Sequence, residues 1–390
     1  NFRSINMGYL KKILFGLFIV GLLTIPAFST DDGFFEGLEW ASAQANDELP
    51  APDSYNLIIP QKVGGGTSVW ATIVAKELEK YTDAPIKLVH LPSARDIGGF
   101  NDFHNELQSD PSNIMVSHGG NGISFLQEEV DYNYGDYASI GLMNLNIIVG
   151  KLKTLEKFPS AVSFSAGSGM TPEAYAMTML MCPPENTVNG YVACFENKVT
   201  WVKGMSGGER RLAFRRGELT ATRENPAAYL KHVAGNDDAE VWFHHGVMSE
   251  EGHVDDPNYL TCECQFEDLY EEKWGQKPSG DFYNAYVLLK SFRDGLQKAL
   301  WVAKDNPYRD RLVEAMNQVA TNPESVKAIE EKVGQYDWFT GDWGDSHRDQ
   351  LMTLITQDTL RTMVTFNQNA LGLKSIYKSD LVIPLEVYYR

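Results

Sequence analysis

Three times before residue 172 the chain passes from a short apolar stretch through a glycine turn into residues at helical spacing, and this alternation constrains its fold more than any other feature. Leu57-Ile58-Ile59 leads through Gly64-Gly65-Gly66 into an apolar-periodic run over 69–81. Ile114-Met115-Val116-Ser117 ends in His118-Gly119-Gly120-Asn121-Gly122 before 123–129. The run 161–165 meets Gly167-Ser168-Gly169 and then Thr171-Pro172-Glu173, a helix start with a capping threonine, proline at the first helical position and an acid in the first turn. With 86–90 and 199–203 as further strands, 147–150 as a buried crossing strand and 209–216 as a short helix, the pattern predicts a largely parallel α/β sheet. After Phe282 the periodicity becomes helical, over 286–302, 308–320, 323–333 and 346–367. A helical last third predicts that the chain returns to pack on its first lobe.

The glycine turns are also where chemistry is expected. Consecutive glycines let backbone N–H groups approach a ligand, and a helix N-terminus carries about half a positive charge, so Val63-Gly64-Gly65-Gly66-Thr67-Ser68 suits a carboxylate or phosphate. The segment lacks the Lys-Ser/Thr pair of a Walker A loop and is not G-x-G-x-x-G, and a plain strand-to-helix turn is the other reading. Parallel α/β sheets bind ligands beyond the carboxyl ends of their strands, where such turns collect. The chain carries 52 Asp and Glu against 34 Lys and Arg, a formal charge of -18, which excludes the electrostatic footprint of a nucleic-acid binder. Acids nevertheless avoid the turns, with none over 54–76, 111–127 or 157–172. Thirteen acids against two lysines instead give 236–281 a local charge of -11, and that stretch reads as a solvated, loop-rich insertion. Because salt screens exposed charges beyond about 10 Å, an acidic body can still bind an anion in a cleft whose local field is set by helix N-termini.

Met7, Lys11, Lys12 and the apolar run 13–25 read as an export signal. A helix needs about 20 residues to span a bilayer, and the shorter run suits the core of a cleaved signal peptide. Small-x-small cleavage sites follow Ser29 and Ala45; the second leaves a polar mature terminus from Asn46 and is preferred. In an oxidising compartment Cys182, Cys194, Cys262 and Cys264 allow three pairings, among them a Cys182–Cys194 bridge closing a short loop. His244, His245 and His253 precede Cys262 and Cys264, but the spacing does not favour zinc and no metal is expected. Gly204-Met205-Ser206-Gly207-Gly208 matches G-x-S-x-G between a strand and a helix, which raises an exported hydrolase using Ser206, with Asp237, Asp238 and the histidines as partners. The short Asp-to-His gaps favour a simpler reading, a glycine turn capping a helix whose Arg210, Arg211, Arg215 and Arg216 form a solvated face.

The order and spacing of these motifs resemble the periplasmic receptors of tripartite tricarboxylate transporters, the Bug-type solute-binding proteins. The resemblance rests on Leu57-Ile58-Ile59-Pro60 with Gly64-Gly65-Gly66-Thr67, on Asp136-Tyr137-Ala138-Ser139-Ile140-Gly141-Leu142, and on Ser165-Ala166-Gly167-Ser168-Gly169. It continues through 199–208, Gly217-Glu218-Leu219 and Phe266-Glu267-Asp268-Leu269, and spans roughly 56–356. It implies a two-lobed α/β fold of the type II periplasmic-binding-protein class, with a ligand cleft between lobes that close like a Venus flytrap. The lobes would be 46–148 and 149–276, the latter with the acidic insertion 236–281, followed by a return to the first lobe with a helical extension over 277–390, after a leader 1–45.

The resemblance further implies a monomeric periplasmic receptor without cofactor, metal or reaction of its own, which captures a small organic carboxylate and delivers it to membrane permease subunits. A receptor serving a sensor kinase or another transporter class is the alternative within the same fold. Carried over by position, the ligand would meet Val63, Gly64, Gly65, Gly66, Thr67 and Ser68 from one lobe, and Ser165, Gly167, Ser168, Gly169 and Thr171 from the other. Gly119, Asn121 and Asn225 join as neighbours in matching turns. This chain departs from the family at Ser68, where an acid is usual, at Pro92-Ser93-Ala94-Arg95-Asp96, where glycines are usual, and at Thr222-Arg223-Glu224-Asn225-Pro226, where an Asp-Asn pair is usual. Arg95 or Arg223 is therefore expected to reach a ligand carboxylate directly, by a bidentate pair.

Overall fold

The computed structural model describes residues 49–93, 96–166, 171–185, 187–249, 252–254, 262–334, 337–373 and 377–378. The export signal, Arg95 and the Gly167-Ser168-Gly169 turn lie outside them. Strand β1 (Tyr55–Ile59) is buried on both faces, as its unbroken apolar run requires, and pairs in parallel with β2 (Ile86–His90) and β3 (Asn113–His118). Helix α1 (Gly66–Leu78) connects β1 to β2, and α2 (Ile97–Asn105) connects β2 to β3.

The sheet is mixed rather than largely parallel. Its order places β4 (Tyr137–Asn144), β12 (Lys298–Ala303) and β13 (Asp337–Thr340) beside these three, and every pairing that β12 and β13 make is antiparallel. The helical expectation over 286–302 therefore holds only to Gly295. Helix α8 (Asp281–Gly295) ends there, and Lys298–Ala303 inserts between β3 and β4 as a central strand. Its run of apolar residues is buried on both faces, where helix and strand periodicities cannot be told apart from sequence.

Beyond β4 the chain crosses through Leu145, Asn146 and Ile147 into a second sheet. There β5 (Ile148–Leu152) lies between β8 (Ala221–Glu224) and β9 (Ala239–His244), antiparallel to both. A parallel pair, β6 (Val162–Ala166) and β7 (Val199–Lys203), abuts this sheet where Ser163 N donates to Thr220 Oγ1 at 2.8 Å. Helices α3 (Pro172–Met181), α4 (Val188–Lys198), α5 (Gly207–Arg215) and α6 (Pro226–His232) fill the connections.

The stretch 236–281 is more structured than its charge predicts. It holds β9, the hairpin β10 (Val247–Ser249) and β11 (Gly252–Val254), and α7 (Phe266–Trp274), and it buries Trp242, Phe243, Phe266, Leu269 and Tyr270. Among the described residues Glu240 of β9 and Asp268, Glu271 and Glu272 of α7 are exposed on elements whose other side is core. The helical end is α9 (Arg309–Thr321), α10 (Pro323–Val333), α11 (Gly341–Met352) and α12 (Gln357–Asn369). The long helix expected over 346–367 is broken at Thr356, whose hydroxyl caps α12 by accepting from Thr359 N at 3.2 Å.

Three buried clusters result. One packs α1, α9 and α10 on one face of the large sheet, a large second one continues from the other face through α3, α4, α8 and α12, and a small third one lies under α5 and α6. Rings of Tyr175, Tyr191, Phe195, Phe282 and Phe366 pack against one another within the large cluster. Beside them the Cys182–Cys194 disulfide joins α3 to α4, and Cys262 pairs with Cys264.

Candidate functional site

Two arginines placed on opposite sides of the chain crossing meet at one buried carboxylate. Glu173, in the first turn of α3, is 0% exposed. It pairs with Arg223 of β8 at 3.2 Å and with Arg293 in the last turn of α8. Burial opposes ionisation of Glu173, but the guanidiniums of Arg293 and Arg223 outweigh it and hold the carboxyl down at about 2. Arg223 is itself pulled below the ordinary arginine range, by burial first and by Arg293 second, so the two cations repel even while sharing one acid.

These arginines open onto a cavity of about 480 Å³, within the range of small-molecule sites. The large-sheet side supplies Gly66 and Val69 of α1, Gln297, Lys298 of β12, and Lys332 and Val333 of α10, with Arg293 at the end of α8. The second sheet supplies Arg223 and Glu224 of β8, Arg210 and Arg211 of α5, and Asn225, Ala228, Lys231 and His232 along α6. Leu145 and Ile147 of the crossing segment complete the lining. Seven Arg and Lys side chains thus face a space lined by one acid, Glu224.

The helix α5 explains how Arg210 arrives there. Ser206 and Glu209 form a capping box that fixes the helix start, and Arg210, Ala213 and Phe214 then share one face at i, i+3 and i+4. Arg210 is only 6% exposed, and its Nη2 donates to the carbonyl of Arg223 at 3.0 Å while its Nε has no partner. The expected solvated arginine face is therefore corrected: Arg215 and Arg216 are exposed, whereas Arg210 is buried and Arg211 bonds Glu224 at 2.8 Å. Burial, then Arg223, lowers Arg210 to about 10.

Lys298 is 9% exposed and bonds only uncharged oxygens, those of Gln297 at 3.1 and 3.4 Å. Burial, with Arg293 beside it, brings its ammonium down to about 7.

No family model matches this chain, and no curated protein matches it. Solved structures do. A TctC solute binding protein from Polaromonas superposes with a TM-score of 0.53 at 15% identity, covering 77% of this chain and 97% of the other. The periplasmic binding protein BugD superposes at 0.52 and 13% identity, with 82% and 98% covered. R. palustris Rpa4515 with adipate superposes at 0.52 and 11% identity, with 83% and 99% covered. The fold is that of the Bug-type periplasmic solute-binding proteins.

Within this Bug-type fold the residues singled out in the sequence divide into several groups. Gly66, Arg223 and Asn225 line the cavity, Asn225 with its Oδ1 committed to capping α6 through Ala228 N at 2.8 Å. Val63, Gly64 and Gly65 form the exposed turn leading to Gly66, and Gly64 adopts φ +83, which favours glycine. Thr67 and Ser68 are buried; Ser68 Oγ accepts from Gly64 N at 3.2 Å and bonds His90 at 2.9 Å.

Gly119 and Asn121 belong to a neighbouring network. Asp96 accepts there from Gln61 at 2.9 Å and Asn121 at 3.3 Å, and bonds His118 at 2.9 Å. A side chain at Gly119 would collide with the carbonyl of Arg293. Ser165 is fully buried on β6, and Thr171 is buried ahead of α3 without capping it through its side chain.

Gly167, Ser168 and Gly169 lie outside the described residues. Sequence reasoning missed Arg210, Arg211, Lys231, His232, Arg293, Gln297, Lys298 and Lys332. The one available signal was the placement of Arg210 on the apolar stripe with Ala213 and Phe214.

The features that suggested a hydrolase are engaged otherwise. Ser206 Oγ accepts from Glu209 N at 3.4 Å as a helix cap, while His245 is buried against Asp294 at 2.7 Å. Among the described residues no cluster of His, Cys, Asp or Glu is arranged to hold a metal ion.

Proposed function

We propose that this chain is an exported receptor that captures a small organic carboxylate between its lobes and passes it to membrane permease subunits, with no reaction of its own. One observation carries the reading: seven Arg and Lys side chains converge, from both sheets, on one cavity of small-molecule size. Charge-assisted bonds from guanidiniums to carboxylates are among the strongest available to a protein. The solved neighbours lend support, since BugD is a periplasmic binding protein and Rpa4515 was solved with adipate, a dicarboxylate.

The lobes would meet across the segment 145–147, with 46–148 and the return after 277 on one side and 149–276 on the other. The ligand would bias lobe closure only by its higher affinity for the closed form. The leader 1–45 would direct export, and the permease would read the closed form.

The test is a thermal-shift panel on protein stripped of co-purified ligand by unfolding and refolding. A cognate acid at about 100 times its Kd should stabilise by about 2.7 kcal/mol. Silence across mono-, di- and tricarboxylates, aromatic acids included, refutes the reading.

A further inference from the structure

We infer that the cleft selects by charge: its ligand carries at least two anionic groups, one gripped by Arg210 and Arg223 and the other by Lys298 and Arg293, and singly charged acids are rejected. The inference rests on the receptor reading and deepens it. The distribution of partners is what supports it. Arg211 has Glu224, and Arg223 and Arg293 share Glu173, with Asp294 lying 3.9 Å from Arg293. Arg210 and Lys298, each at least nine-tenths buried, have no carboxylate partner.

Five buried or half-buried cations therefore face three acids, counting Arg210, Arg211, Arg223, Arg293 and Lys298 against Glu173, Glu224 and Asp294. The two positive charges left over come from opposite sides of the cleft, Arg210 from α5 and Lys298 from β12. Buried like charges repel in a medium that screens them poorly. A dianion removes that repulsion from both sides at once, and a monoanion from only one.

The neighbours of Lys298 set a pH dependence. Arg293 and, opposite it in the strand register, His118 are the charged or titratable groups facing it, with Asp96 bonded behind His118. Burial depresses His118 below its ordinary value, against the opposing pull of its bond to Asp96, and so favours the neutral imidazole. Lys298, at about 7, gains its proton as pH falls through neutrality, and a bound anion favours the protonated form.

Calorimetric titration of the stripped full chain with butyrate, glutarate, tricarballylate and glycerol 3-phosphate tests this. Glutarate should bind at least tenfold more tightly than butyrate. Its affinity should rise as pH falls from 8.5 to 6.5, and Lys298→Gln should lose at least tenfold and flatten the pH profile. The wild-type charge series needs no variant to fold.

Butyrate within tenfold of glutarate overturns charge selection and leaves the carboxylate receptor standing. A flat wild-type pH profile removes Lys298 from the grip. Binding of glycerol 3-phosphate alone, a single anionic group, refutes both the two-group grip and the carboxylate reading. Silence with all four ligands refutes the two-group grip, and the receptor reading falls with it when the wider thermal-shift panel, aromatic acids included, is silent too.

Discussion

A residue placed for a ligand should weaken the empty protein, and Lys298→Met measures by how much. Lys298 is 9% exposed, beside Arg293, with only the oxygens of Gln297 as partners for its ammonium. Lowering a lysine from 10.5 to about 7 costs the folded state about 5 kcal/mol when fully expressed, and about 4 kcal/mol at pH 7. The sign follows from linkage. The folded value lies below the unfolded one, so the penalty is complete below about pH 7 and disappears as pH rises through the unfolded value.

Methionine keeps the apolar stem and forfeits two hydrogen bonds of about 1 kcal/mol each. The net expectation at pH 7 is a gain of about 2 kcal/mol, or about 3 °C in Tm for a chain of this size. At pH 9 the lysine penalty falls to about 2 kcal/mol, and the gain should vanish. Urea denaturation and calorimetry of the stripped protein at both pH values are the assays. A loss of stability at pH 7, or an equal gain at both, refutes the reasoning.

Glu173→Gln should cost about 3–5 kcal/mol in urea denaturation, because Arg223 and Arg293 would remain buried without their shared carboxylate. With Glu173 held at about 2, its contribution is present above the ordinary carboxylate range and fades as pH falls toward 2, so the variant should show a shallower acid limb. Cys182→Ser should destabilise by about 3 kcal/mol through the opened loop, an effect that disappears when the wild type is assayed reduced. Ser206→Ala should cost about 1 kcal/mol as a lost helix cap and leave glutarate affinity unchanged. Fluorophosphonate labelling of Ser206 in the wild type would speak for a hydrolase instead.

The strand–glycine–helix alternation was legible at β1 and α1, where each element satisfies its own local rules, whereas after β3 the helical spacing over 123–129 yields only the short 3-10 turn Ser124–Leu126. Val199–Lys203 and Pro323–Val333 fall where the residue pattern puts them, and Pro172 opens its helix after Thr171. What the sequence hid was non-local. Lys298–Ala303 becomes a central strand only because β3 and β4 leave a gap of one strand's width between them. The acids over 236–281 obscured the apolar side of β9 and α7, since average charge says nothing about which face a residue occupies. The site was half legible for the same reason. Glycine turns announce themselves, whereas Arg210, Arg223, Arg293 and Lys298 come from four elements scattered over 210–298, and no local pattern joins them.

That scatter bears on how a chain of net charge -18 holds a cationic cleft. Each of these cations sits beside core positions of its own element, so its burial is fixed by packing that forms whether or not a ligand is present. Arg210 rides with Ala213 and Phe214, Arg293 with Phe292, and Lys298 with Ala299 and Leu300. The sequence gives up stability there, and the acidic exterior does not restore it, because exposed charges more than about 10 Å away are screened while those inside the cleft are not. A functional cost of this kind has a diagnostic property. Substitutions that remove a cation should stabilise the empty receptor and weaken the filled one, whereas removal of a merely structural cation weakens both. The ratio of Lys298→Met effects with and without glutarate therefore separates a site from a misplaced lysine, by one measurement made twice.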